Sequence, residues 1–168
     1  MRNILLPFIA LLFTACSTLQ VPLKTVEHVQ LDKYLGTWYE IARYEHSFEV
    51  GCSDVSATYS LKENEKINVV NSCKKEDGTI SIVTGEAYVT DETNSKLKVT
   101  FFWPFYGDYW IVILGENYEY VVIGEPTREY FWILSREKSL DDKVKKEILA
   151  SLPNLGYDEE KLIWTKQK

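Results

Sequence analysis

The chain has 168 residues, enough for one domain with a substantial core. Its formal net charge is −6, with 19 Lys and Arg against 25 Asp and Glu. The basic residues form no stripe, which argues against nucleic acid as a partner. Aromatic residues make up 14% of the chain, a content that suits a sheet protein with either an aromatic core or a lined cavity.

Residues 1–15 read as a targeting segment rather than as part of a fold. Arg2 supplies a short positive start, and Ile4 to Phe13 is an apolar run of secretory length, too short to span a bilayer comfortably. The run ends in Leu12-Phe13-Thr14-Ala15-Cys16, which resembles a bacterial lipobox with Phe13 where Leu is usual. That resemblance implies cleavage before Cys16 and acylation of its sulfur and its new amino group. Ser17 resembles the outer-membrane sorting pattern. The expected division is a lipoprotein signal peptide at 1–15, a lipidated tether at 16–30 and a single domain at 31–168. The chain holds three cysteines. With Cys16 acylated, Cys52 and Cys73 remain, either as two free thiols or as a disulfide suited to an exported protein. A bridge closing a loop of about 20 residues contributes on the order of 3 kcal/mol in the chain-entropy model. Nothing resembles Cys-x-x-Cys.

Pro22 argues against a strand before Val26, and Asp32 to Leu35 reads as one turn of helix. The stretch Gly36-Thr37-Trp38-Tyr39-Glu40-Ile41-Ala42-Arg43-Tyr44 then reads as a strand that starts from a glycine. Strands are expected at about 36–45, 54–61, 66–73, 79–89, 96–102, 108–114, 117–124 and 130–135. Turn signals such as Glu63-Asn64-Glu65, Asp77-Gly78 and Pro126 separate them. Ser139, with Asp142 three residues on, fits a helix N-cap. Leu140, Val144, Ile148 and Leu152 fall on one face of the helix that follows, which should stop between Pro153 and Gly156. Lys161 to Thr165 reads as a short closing strand. Eight closely spaced strands suit a barrel or a sandwich, and periodicity alone does not choose.

Gly36-Thr37-Trp38 resembles the first motif of the lipocalins, and the run from Leu35 through Glu49 is similar to the bacterial outer-membrane lipoprotein lipocalins, themselves similar to apolipoprotein D. Gly107-Asp108-Tyr109 resembles the second motif, with Gly where Thr is usual. Arg136, closing Phe131-Trp132-Ile133-Leu134-Ser135-Arg136, matches the arginine of the third. The resemblance implies an all-β fold, an eight-stranded up-and-down antiparallel lipocalin β-barrel with one C-terminal α-helix packed outside. It implies a structural barrel floor of Gly36, Trp38 and Arg136, with the guanidinium across the indole.

That floor sets a parity, because residues two apart on a strand share a face. Counting from Trp38 puts Glu40, Ala42 and Tyr44 inward, and counting back from Arg136 does the same for Trp132 and Tyr130. The resemblance adds Asn71, Val83, Ala87 and Tyr106. The expected cavity is apolar and aromatic, fit for an acyl chain with its polar head near the mouth.

Catalytic signals are sparse. Glu45-His46-Ser47 contains triad residue types, but adjacency in sequence does not make a base–nucleophile geometry. There is no His-Glu-x-x-His, no phosphate-binding glycine loop and no zinc-ligand spacing, so no metal or cofactor is expected. The resemblance implies a membrane-anchored lipid-binding protein, not an enzyme, that stores or transports fatty acids or lysophospholipids for outer-membrane maintenance. It implies attachment to the periplasmic face of the outer membrane through Cys16 and leaves a homodimer open. The alternatives are an isomerase-like enzyme, with Cys73 the one candidate thiol, or a tetrapyrrole binder using the same cavity.

Overall fold

The computed structural model describes residues 21–168, so the expected signal peptide at 1–15 and the lipidation site Cys16 lie outside the described residues. A one-turn helix, α1 (Leu31–Tyr34), leads into β1 (Gly36–Arg43). There follow β2 (Ser53–Leu61), β3 (Ile67–Lys74), β4 (Ile80–Val89), β5 (Lys96–Phe102), β6 (Phe105–Leu114), β7 (Tyr120–Gly124) and β8 (Phe131–Ser135). Helix α2 (Asp142–Leu155) and the two-residue β9 (Ile163–Trp164) complete the chain. Each strand from β2 to β8 pairs antiparallel with the next, and β1 pairs with both β2 and β8, which closes the barrel. Closure pairs β1 to β8 around the barrel and leaves short unpaired edges at β9 and at the start of β4. The first half of β1 bonds β2, and its far end bonds β9 instead.

The strands lie close to the positions expected from periodicity, with two shifts at turns. β6 begins at Phe105, directly across from Phe102, so the aromatic run 101–106 forms a tight hairpin rather than a long loop. β7 begins at Tyr120 because Tyr118, at φ +61°, is spent on the turn.

Alternation along the strands builds two cores. Inside the barrel, Trp38, Ile67, Val69, Leu97, Ile111 and Ile123 pack with Val29 of the lead-in. Between the barrel wall and α2, Val122, Phe131 and Ile133 meet Ile148, Leu152 and Tyr157. The segment before β1 is therefore packed against the barrel, with Leu23 and Val29 both buried. The helix begins two residues later than the capping pattern suggests. Asp141, not Ser139, is the N-cap, and its carboxylate accepts from the backbone N–H groups of Lys143 (2.8 Å) and Val144 (3.2 Å). Gly156, at φ +80°, ends the helix.

The closed end is built around Arg136. Its guanidinium carbon stands 3.7 Å from the centre of the Trp38 ring. The same group donates to the carbonyls of Lys33 (2.7 Å), Tyr34 (3.1 Å), Leu35 (2.9 Å) and Thr37 (2.8 Å). One side chain thus satisfies carbonyls that the end of α1 leaves free. Gly36 sits at φ +94°, and a Cβ there would come within 3.4 Å of Arg136 Nη1. A disulfide joins Cys52 to Cys73, their Cα atoms 5.5 Å apart, and ties the loop before β2 to β3.

Trp38→Ala should lower the unfolding free energy by about 3–5 kcal/mol in denaturant titration, the usual loss for a large buried aromatic. Arg136→Ala should also destabilise, because the α1 carbonyls lose their donor. An unchanged melting curve for Trp38→Ala would contradict the floor.

Candidate ligand-binding cavity

The barrel encloses a cavity of about 680 Å³, inside the range of about 300–1,000 Å³ common for small-molecule sites. It runs from a mouth bordered by Phe48, Phe102, Phe105 and Tyr130 down to Tyr34, Tyr59 and Tyr109 above the floor. Phe102, Trp103 and Phe105, at the tip of the β5–β6 hairpin, are among the most exposed large apolar side chains of the described residues.

Six of the expected ligand-binding residues line this cavity: Glu40, Asn71, Ala87, Tyr106, Tyr130 and Trp132. Asn71 Oδ1 is buried there without a hydrogen-bond partner. Ala42, Tyr44 and Val83 do not line it. The first two fail for one reason. Glu40 pairs with Leu134, yet Ala42 pairs with Ile133, so Ile41 is an extra residue bulged out of the ladder. A one-residue bulge reverses the inward and outward faces of everything beyond it. Ala42 and Tyr44 therefore point to the helix side, where Tyr44 packs on Phe131 (5.4 Å between ring centres) and Tyr157 (5.8 Å). Val83 fails for another reason. The β4–β5 ladder runs from Glu86 to Val89, so Val83 lies on a part of β4 that extends past its neighbour. Its side chain stands 46% exposed.

The same bulge brings in a residue that strict alternation sends outward. Arg43 turns toward Glu40, and its Nη1 donates to Glu40 Oε1 at 2.8 Å. Glu49, on a 3-10 turn at Ser47–Glu49, completes the cluster. Its backbone carbonyl accepts from Arg43 Nη2 (3.0 Å), and its carboxyl accepts from Trp132 Nε1 (3.2 Å). One guanidinium therefore bonds the Glu40 carboxyl and the Glu49 backbone, and its Nε stands 3.7 Å from the Glu49 carboxyl. Burial, then the charge of Glu40, pushes the Glu49 carboxyl up to about 8, so at neutral pH it is largely the uncharged acid. Thr165, just past β9, donates its hydroxyl to Glu40.

His46 is packed, not catalytic. Its ring stacks on Phe48 (5.2 Å) and Tyr130 (4.8 Å) and packs at a tilt against Trp132 (4.6 Å), and it holds the mouth loop against the wall. Burial, then the nearby Arg43 charge, lowers it to about 4, so the ring is neutral at physiological pH. Cys73 is bonded to Cys52 and presents no thiolate. Among the described residues, no nucleophile stands in hydrogen-bond reach of His46.

Sequence reasoning missed Arg43, Glu49 and the three tyrosines at the floor. Arg43 lies three residues from Glu40, a spacing without meaning on a regular strand. Tyr59 was legible only once the register Trp38↔Ala57 placed alternate β2 residues inside.

The lipocalin-like domain model matches residues 29–167. The outer membrane lipoprotein Blc of Escherichia coli K12 is 43% identical over 162 residues, covering 94% of this chain and 92% of that protein. Apolipoprotein D of Bos taurus is 36% identical, covering 84% of this chain and 78% of its own length. Among solved structures, insecticyanin from the tobacco hornworm Manduca sexta superposes with a TM-score of 0.71 at 21% identity, covering 87% of this chain and 85% of that one.

The Glu49 carboxyl generates a prediction with a definite sign. Its folded-state pKa, about 8, lies above the ordinary value of 4.5. The protonated form is thus favoured by folding, and this contribution is full below about pH 4.5 and fades as pH rises through about 8. Glu49→Gln should change the denaturant midpoint little at pH 5 and raise it relative to wild type at pH 9. A difference between the two proteins that is flat across that range contradicts the assignment.

Proposed function

We propose that this chain, which belongs to the lipocalin family, reversibly binds fatty acids or lysophospholipids in its barrel and serves outer-membrane maintenance by storing or carrying them. Lipocalins are binding proteins, and the barrel offers a ligand site rather than a reaction centre. One observation carries the choice of ligand. Between mouth and floor most of the wall is apolar, with Val69, Ala87, Leu97, Val99, Ile123 and Leu134 facing the cavity and Glu40, Ser56 and Asn71 as polar interruptions. A single acyl chain covers the apolar part of such a wall, and each Å² removed from water contributes about 25 cal/mol. The polar head then stays at the aromatic mouth, where water reaches it.

The cellular setting follows relatives such as the outer membrane lipoprotein Blc of Escherichia coli K12. With the lipobox-like run before it, Cys16 is the attachment point in this reading, and the barrel hangs at the periplasmic face. Several acyl chains on one residue hold firmly, because each buried CH₂ contributes about 0.8 kcal/mol.

Trp132, which lines the cavity and steadies Glu49, is the residue to test. Titration of delipidated protein with a lysophospholipid should quench or shift its fluorescence, and Trp132→Ala should bind at least about tenfold more weakly, which is about 1.4 kcal/mol. Ile133→Thr, on the outer face, should affect folding more than affinity. Equal affinity in wild type and folded Trp132→Ala would place the ligand outside the barrel. For the anchor, Cys16→Ala should lose incorporation of radiolabelled palmitate, and label at the wild-type level would refute the attachment point.

A further inference from the structure

The cavity floor holds one hydrogen-bond donor more than its own hydrogen bonds use. Three phenols from three separate elements meet there, Tyr34 of α1, Tyr59 of β2 and Tyr109 of β6. Tyr109 is the centre, its hydroxyl 2.6 Å from that of Tyr34 and 3.0 Å from that of Tyr59. Among the described residues these two contacts are the only hydrogen bonds the three hydroxyls make. Three hydroxyls bring three hydrogens, and two bonds consume two. Whichever way the chain of bonds runs, one donor is left over. Ionisation does not remove it. Burial pushes Tyr59 up to about 12 and holds Tyr34 and Tyr109 well above the ordinary phenol value, so all three keep their protons. All three also line the cavity, so a ligand that reaches the floor comes against the residues that carry the spare hydrogen.

The position is deep and rigid. Tyr34 rests on Trp38 with ring centres 5.2 Å apart, Tyr34 and Tyr59 are 5.7 Å apart, and Tyr59 and Tyr109 are 6.2 Å apart. Above the trio the wall is mostly apolar, with Ser56 and Asn71 among its polar interruptions. An acceptor oxygen at the far end of a bound chain would meet a phenol already held in place. A chain ending in a methyl group would leave that donor unpaired, or keep a water trapped beneath it.

We propose that Tyr34, Tyr59 and Tyr109 form a distal subsite for an acceptor oxygen, so that the cavity selects single-chain lipids whose tail end carries a hydroxyl or carbonyl group. The proposal rests on the acyl-chain reading above and refines it.

The test uses three lysophosphatidylcholines that differ only in the chain: hexadecanoyl, 16-hydroxyhexadecanoyl and 15-oxohexadecanoyl. Their large common head fixes which end enters first. A wholly apolar cavity would bind the oxygenated chains more weakly, because their oxygen leaves water without compensation. The subsite reverses that order, and both should bind the delipidated protein about fivefold to tenfold more tightly than the plain chain. In the variant carrying Tyr34→Phe, Tyr59→Phe and Tyr109→Phe, the plain chain should bind best. A readout that needs no variant is the infrared band of the 15-oxo carbonyl, which should fall below its frequency in hydrocarbon solvent when bound to wild type. Equal or weaker binding of the oxygenated chains, or a carbonyl band at the hydrocarbon frequency, overturns the subsite alone. Failure of all three lipids to bind overturns the acyl-chain reading and the subsite with it.

Discussion

A guanidinium lying flat on an indole closes one end of this barrel, and much of the remaining geometry depends on it. Arg136 gathers α1, the start of β1 and the turn before β7 by donating to carbonyls in all three. Trp38 fills the space beneath and donates its own Nε1–H to the Tyr34 carbonyl at 2.8 Å. These bonds hold α1 in place as a plug. Because Tyr34 belongs to α1, the clamp also positions the phenol that forms part of the cavity floor. A stabilising contact and the shape of the binding site are thus the same piece of structure.

A single extra residue in β1 governs the other half of the site. A regular strand would carry Ala42 and Tyr44 into the cavity and leave Arg43 outside. The bulge at Ile41 instead gives α2 a small residue and an aromatic to pack on, and it supplies Glu40 with a cation inside the wall. A carboxylate that is only 2% exposed needs such a partner, since an unpaired buried charge is strongly unfavourable. Glu49 has no second cation and meets the same constraint by holding its proton. The result is a polar knot at one side of an apolar space, knitted to the mouth loop through Trp132 and the stacked His46.

Mouth and floor therefore differ in chemistry. At the open end, exposed aromatic side chains of the β5–β6 hairpin surround an entrance with one neutral acid and one neutral imidazole beside it. At the closed end, three phenols line the cavity above the floor. Between the two ends the wall is mostly apolar. In the proposed lipid-binding reading, such a gradient would orient an amphiphile, because only one direction of entry keeps the polar end wet.

The sequence by itself determined the periodicity of the strands, the amphipathic helix and the floor pair, because each rests on local pattern or on motif residues that carry their role with them. Trp38 and Arg136 are far apart in the chain, yet the motifs were enough to bring them together. Alternation also turned Glu40, Tyr130 and Trp132 inward, and all three line the cavity because Glu40 is counted before the bulge and the other two are counted along the unbulged partner strand. Only the tertiary structure decided the rest. A bulge leaves no mark in composition or hydropathy, so the reversal at Ile41 that moved Ala42 and Tyr44 out and Arg43 in was invisible. The overhang that exposes Val83 depends on where a neighbouring strand stops pairing. The tyrosine trio of the floor depends on register, because Tyr34, Tyr59 and Tyr109 come from three elements and meet only when the barrel closes. Local sequence sets what each segment prefers; which side chains share an interior is set by pairing between strands, and that information is not local.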